Sequence, residues 1–163
     1  MKIADLNELD RKAFLSAIGH VYEDSPWVAE RAWLQRPFAS LDSLCETMNA
    51  EVTNASQQEQ LSLLRAHPDL GTRARIGEAS TREQAGAGLD RLDPEEYARL
   101  MRLNAEYKEK FGFPFLYAVK GSDKHRILSA LAARLASNVE EEFAEALKQV
   151  FRIARFRLEE IIE

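Results

Sequence analysis

Apolar positions along this chain recur at steps of three and four almost throughout, the spacing of one face of an α-helix. An amphipathic segment runs from about Asp10 to Val21. In SPWVAERAWLQRP, Ser25 is placed to cap a helix, Pro26 to fill its first position and Pro37 to end it. Ser40 opens the next helix, which runs to about Asn54, and Ser56 caps another that ends at His67. After a polar stretch, Ser80 starts a short helix. Asp93-Pro94 begins a long one that Gly112 terminates. FPFLYAV (113–119) is the one extended or irregular apolar segment. Gly121 and Ser122 punctuate it, a helix follows to about Ser137, and Asn138 caps the last long helix. No strand has a partner at hairpin or βαβ spacing. The pattern predicts an all-α fold, a single compact domain over 1–163 with about seven to nine helices.

The helical pattern breaks in three places that carry chemistry. At His67-Pro68, the proline disfavours the α conformation of the residue before it, so the helix stops on a histidine. That imidazole sits at the negative end of a helix dipole, and histidine exchanges protons near neutrality. It reads either as a C-terminal cap or as an acid–base group. In STREQAGAG (80–88), Ser80 and Glu83 match a capping box. With Gln84 beside them and small residues after, the same side chains could instead line a pocket for a polar, negatively charged molecule. In the last helix, Phe143, Leu147, Val150, Ala154, Arg157 and Ile161 form one seam with a guanidinium in it. Arg157 there snorkels to solvent, pairs with an acid, or grips a ligand oxygen.

Other candidates read as structural. His20 and His125 suit surface or cap roles, Trp27 and Trp33 core anchors, and Glu23-Asp24 a solvated turn. Arg152 and Arg155 fall off the seam and read as solvated. There is no H-x-x-x-H metal pair, no phosphate loop and no G-x-S-x-G elbow, so no metal site is expected.

Composition narrows the partner classes. Of 163 residues, 45% are hydrophobic and 30% charged, which fits a folded globular chain. A formal charge of −5 disfavours nucleic acid and anionic membrane as main partners. Cys45 is the single cysteine, so no internal disulfide forms and a reducing compartment is expected. No apolar run reaches membrane-span length, the N-terminal stretch lacks a signal-peptide core, and LEEIIE is not a Ser-Lys-Leu ending. A cytoplasmic location is the expectation.

HPDLG (67–71), STREQAGAGL (80–89) and FGFPFLYAVKG (111–121), in this order, with YEDSPWVAERAW upstream and IARFRL near the end, resemble the 2-oxo-4-hydroxy-4-carboxy-5-ureidoimidazoline (OHCU) decarboxylase family of purine breakdown. The resemblance covers nearly the whole chain. It implies an all-α carboxy-lyase that converts the ureidoimidazoline to (S)-allantoin and CO2 with no cofactor. By motif, it implies His67 and Glu83 as the catalytic pair. Pro68, Ser80, Gln84 and Arg157 are implied as substrate contacts, with backbone groups of Leu116, Tyr117 and Ala118. The family often has Ile-Ile where this chain has Leu116-Tyr117, a change that backbone contacts survive. Oligomeric state is left open, with a homodimer allowed. Two other readings compete: a non-catalytic helical module that binds a ureide or purine, and a helical adaptor with an exposed apolar groove. Retention of both His67 and Glu83 favours the enzyme over the module.

Overall fold

The structure is a computed structural model that describes residues 1–72 and 77–163; residues 73–76, within the polar stretch before Ser80, lie outside the described residues. All regular structure among the described residues is helical: α1 (Ile3–Asn7), α2 (Arg11–Ile18), α3 (Trp27–Trp33), α4 (Leu41–Thr53), α5 (Gln57–Ala66), α6 (Glu78–Gly86), α7 (Pro94–Phe111), α8 (Lys124–Arg134) and α9 (Val139–Ile161). The class and the helix number follow the periodicity. The chain groups into two compact units, one of Met1–Ala66 with Phe151–Glu163 and one of His67–Val150.

Local side-chain chemistry starts most of these helices. Asp10 accepts from the Ala13 N–H, Ser40 from Ser43, Ser56 from Glu59, Asp93 from Glu96 and Asn138 from Glu141. Gly112 ends α7 in the left-handed region at φ 81°, as its position predicts. Two starts differ from expectation. Ser25 caps nothing; its Oγ donates to the Glu23 carbonyl, and α3 begins at Trp27 and stops at Trp33, short of Pro37. α6 begins at Glu78 with Gly77 as its N-cap, so Ser80 lies inside the helix and no Ser80/Glu83 capping box opens it. Glu78 in the first turn complements the dipole there.

In the first unit the core is Leu6, Phe14, Ile18, Val28, Leu44, Met48, Val52, Leu63, Leu64 and Leu158. Trp27 and Trp33 are only half-buried; each carries a guanidinium over its ring, from Arg31 at 4.5 Å and Arg36 at 4.2 Å. The second unit is built on an aromatic cluster. Tyr107 of α7 meets Phe111, Phe113 and Phe115 at 4.5, 5.9 and 5.4 Å, and Phe113 meets Phe143 edge-on at 5.9 Å. This cluster explains why 113–119 is extended yet is no strand: alternate phenylalanines point into the α7 face. Side chains, not a neighbouring strand, bond its backbone. Arg134 donates to the Leu116 carbonyl, and the Ala118 N–H donates to Gln149 Oε1 at 2.9 Å.

The buried face of α9 is rotated slightly from the predicted seam. Val150, Ala154 and Arg157 are buried as expected. Phe143, Leu147 and Ile161 are half-exposed, and Glu142, Ala146, Gln149, Leu158 and Ile162 take the buried positions. Each buried polar residue on this face has a charged or hydrogen-bonding partner, which is what makes its burial tolerable.

Candidate active site

α5 ends at Ala66 and His67 follows at once, as the proline requires. His67 is 7% exposed. The chain then makes a tight turn, closed by the Thr72 N–H on the Asp69 carbonyl at 3.3 Å, with Gly71 in the left-handed region at φ 72°. That turn lies against one stripe of α7. Leu100, Asn104 and Lys108 are spaced one helical turn apart. They meet Gly71, Leu70 and Asp69 in that order. Leu100 packs where a Cβ on Gly71 would come within 2.4 Å of its Cδ2. Asn104 Nδ2 donates to the Leu70 carbonyl at 3.0 Å, and Lys108 Nζ lies 3.4 Å from Asp69 Oδ2. The stripe climbs toward the C-terminal end of α7, where Gly112 hands the chain to 113–119.

Gly71 is thus required twice, by its backbone and by its neighbour. Gly71→Ala is expected to lower stability by about 2–4 kcal/mol, from left-handed strain plus the Leu100 clash. Thermal unfolding of the variant checks this.

α6 presents Ser80, Glu83 and Gln84 on one face, at i, i+3 and i+4. Ser80 and Gln84 are buried and Glu83 is half-buried. A helix with a polar face turned inward has something polar to meet. Gln84 shows what part of it is: its Oε1 accepts the Gly71 N–H at 2.8 Å. The structure therefore brings α6 and the His67 turn together through Gln84. It also moves Glu83 and Gln84 beyond the opening turn of α6, so an anion held by that helix's free N–H groups is not the picture for them.

Of the 113–119 backbone, the Leu116 carbonyl and the Ala118 N–H are already bonded within the unit. The Tyr117 hydroxyl lies 3.1 Å from Ser122 Oγ, which turns that side chain toward its own loop. Pro68 is half-buried beside His67. In the other unit, Arg157 is 5% exposed and neither snorkels nor stands alone. Its Nη1 donates to Glu23 Oε2 at 2.8 Å and to the Val21 carbonyl at 3.3 Å. Glu23 is accordingly no solvated residue; its side chain is 13% exposed. Arg155, expected to be solvated, is half-buried and pairs with Asp42 and Glu159, which raise its pKa further.

A cavity of about 460 Å³ opens in the first unit, lined by Asp42, Cys45, Asn49, Phe151, Arg155 and Phe156 among others. None of the predicted site residues lines it. Burial holds the Cys45 thiol above its ordinary pKa there, against the opposing pull of Arg155. Three residues around the predicted site were not singled out in the sequence: Asn104, Arg134 and Gln149. Asn104 was the findable one, a polar residue within the Leu100, Leu103, Tyr107, Phe111 stripe of α7.

Comparison with known proteins converges on the same family. Residues 7–159 match the family model for OHCU decarboxylase. The chain is 48% identical over 161 residues to the 2-oxo-4-hydroxy-4-carboxy-5-ureidoimidazoline decarboxylase of Halalkalicoccus jeotgali, covering 99% of this chain and 92% of that protein. It is 46% identical to the uric acid degradation bifunctional protein PucL of Bacillus subtilis, covering 97% of this chain and 32% of that one. A crystal structure of (S)-allantoin synthase superposes with a TM-score of 0.82 at 32% identity, over 99% of this chain; the chain spans about half, 54%, of that structure's chain. With the family model matched over nearly its full length, this chain belongs to the OHCU decarboxylase family.

Proposed function

We propose that His67 and Glu83 carry the proton chemistry of this carboxy-lyase, which forms (S)-allantoin and CO2 from 2-oxo-4-hydroxy-4-carboxy-5-ureidoimidazoline in urate breakdown. One observation supports the pair above others: the buried Gln84–Gly71 bond, which joins the polar face of α6 to the turn that begins with His67.

The substrate dictates what the residues must do. One ring carbon bears a hydroxyl and a carboxylate; its neighbour is a C=N carbon that carries the ureido group. When the C–CO2 bond breaks, its electron pair forms a C=C bond to that neighbour, and the C=N π pair moves onto nitrogen, which takes a proton. The substrate is its own electron sink, so residues need only manage protons. The enol that results loses its hydroxyl proton as the carbonyl forms, and the adjacent carbon gains one from a single face. Overall, one CO2 leaves and one proton is taken up. His67 serves the hydroxyl. Glu83 faces the departing carboxylate, where like-charge repulsion raises the ground state and eases CO2 loss.

Ser80 and the amide nitrogen of Gln84 take the ureido group or ring amide, with Pro68 as an apolar wall. Backbone groups of Leu116, Tyr117 and Ala118 that are not already bonded complete the pocket. By the motif it occupies, Arg157 is the residue for a substrate oxygen; its Nη1 also donates to Glu23 and to the Val21 carbonyl. Arg157→Leu is expected to raise KM about tenfold, the loss of about 1.4 kcal/mol of binding. It should also lower the melting temperature, because Glu23 loses its partner. An unchanged KM in steady-state kinetics would return Arg157 to a purely structural role.

Among the described residues no helix is long and apolar enough to cross a membrane. A cytoplasmic enzyme acting on a small ureide, its 163 residues working as one domain, completes the proposal. The adaptor reading fares worst, since the large apolar side chains exposed among the described residues, Met1, Leu34 and Val139, are isolated in sequence. Mixing the protein with freshly generated substrate and following optically active allantoin tests the whole proposal. Turnover supports it; binding without turnover leaves the ureide-binding module.

A further inference from the structure

The turn that carries His67 is held by two buried amides, and the sequence motifs account for only one of them. Gln84 belongs to S-x-x-E-Q. Asn104 does not belong to any motif that carries the family resemblance. It is 3% exposed in the middle of α7. Its orientation is fixed by its partner: the Leu70 carbonyl only accepts, so the NH2 end faces it at 3.0 Å. Its Oδ1 points the other way, and among the described residues no donor reaches it. A leucine would fill the same space with no orphaned acceptor. The residue at 104 is therefore explained by its donor, and the donor's target is the turn.

Leu100 and Lys108 touch the same turn but hold it less closely, one by packing and the other by an exposed pair at 3.4 Å. Gln84 and Asn104 fix the two ends of one peptide group, the Gly71 N–H and the Leu70 C=O, from two different helices. His67 is three residues from the nearer of them, with a rigid Pro68 between.

We propose that Asn104 is a positioning residue for this reaction: its amide, with that of Gln84, clamps the turn at Leu70-Gly71 and so sets where the His67 imidazole points. The proposal rests on His67 as the acid–base group. Asn104 acts through the backbone and not on the substrate.

Asn104→Asp tests this in the full-length chain. The new side chain keeps the volume, but as a carboxylate it cannot donate to Leu70. The readouts are kcat, KM and the imidazole signals of His67 in histidine-labelled NMR spectra. Those signals are assignable, since His20 and His125 are exposed. The clamp predicts shifted His67 signals, kcat lower by about 10²-fold, as a displacement of about 1 Å can cause, and KM changed by less than about twofold. Lowering the pH protonates the new carboxyl and restores a donor, so the activity ratio to wild type should rise as pH falls. A filler of space would show no such rise. If Asn104→Asp does not fold, Asn104→Leu removes the donor without adding charge, with the same readouts. A folded variant whose His67 signals stay at wild-type positions overturns the proposal, whatever its turnover. Shifted signals with normal turnover would keep the clamp and remove His67 from the chemistry, and His67→Ala would then also turn over normally.

Discussion

Replacing Glu142 by alanine is expected to cost this protein about 3–5 kcal/mol, the price of leaving a buried guanidinium without its acid. Glu142 is 1% exposed. Its Oε1 takes the Tyr107 hydroxyl at 2.6 Å and the Arg134 guanidinium, whose Nε and Nη2 both lie against it. Arg134 in turn stacks on Phe115 at 4.5 Å and donates to the Leu116 carbonyl. One carboxylate therefore ties α7, α8 and α9 to the 113–119 segment. Burial, and then the bond to Glu142, push the Tyr107 phenol well above its ordinary pKa, so it remains a neutral donor into this network. At about 2–4 °C per kcal/mol for a chain of this size, the melting temperature should fall by roughly 6–20 °C. The same variant should bind substrate more weakly than its stability loss explains, because the Leu116 carbonyl loses a fixed donor. Thermal melts and KM, measured below the variant's transition, check both. A melting temperature within about 2 °C of wild type would mean that the pair contributes little.

His67→Ala and Glu83→Ala should each leave a folded protein with most of its rate gone. General acid–base groups contribute about 10²–10⁴-fold, and that is the loss expected in kcat for either change. Stability should move little in Glu83→Ala, since Glu83 lies in the interior of α6 and not at its N-cap box. Alanine is the better helix former, so the melting temperature could even rise. The location of Glu83 removes the simplest structural explanation of its presence. Had it closed a capping box with Ser80, the expected result would be a lowered melting temperature with turnover intact.

Helix ends governed by local chemistry were legible in the sequence. Ser40, Ser56, Asp93, Asn138 and Gly112 act where they were expected, because a cap bonds residues only a few positions away. The start of α6 was not legible for the same reason. Ser80 and Glu83 have capping-box spacing, but i, i+3 pairs occur equally inside a helix, and here Gly77 begins it. α1, five residues long, was also unforeseen. Its one buried side chain, Leu6, gives too little periodicity to read.

Long-range pairing was beyond the sequence. Glu23 lies 134 positions from Arg157, so nothing local distinguished it from a solvated acid. Glu142 and Gln149 were invisible to a search for apolar seams because they are buried as partners of other groups, not for their own hydrophobicity. His67, Ser80 and Gln84, singled out from the sequence, are all buried, although Ser80 and Gln84 lie inside α6 and not at its start. Asn104 stands out in the sequence only as a polar residue in an apolar stripe; its contact with Leu70 shows what it does.

The central claim is that His67 and Glu83 work on one substrate as one unit, and a double-mutant cycle in kcat measures that directly. Groups that act as a unit are far from additive: once one is lost, removing the other costs little more. The double variant His67→Ala/Glu83→Ala should therefore decarboxylate at about the rate of the slower single variant. A double variant slower by the full product of the two single losses would show two independent contributions, and the shared proton chemistry proposed for this site would be wrong.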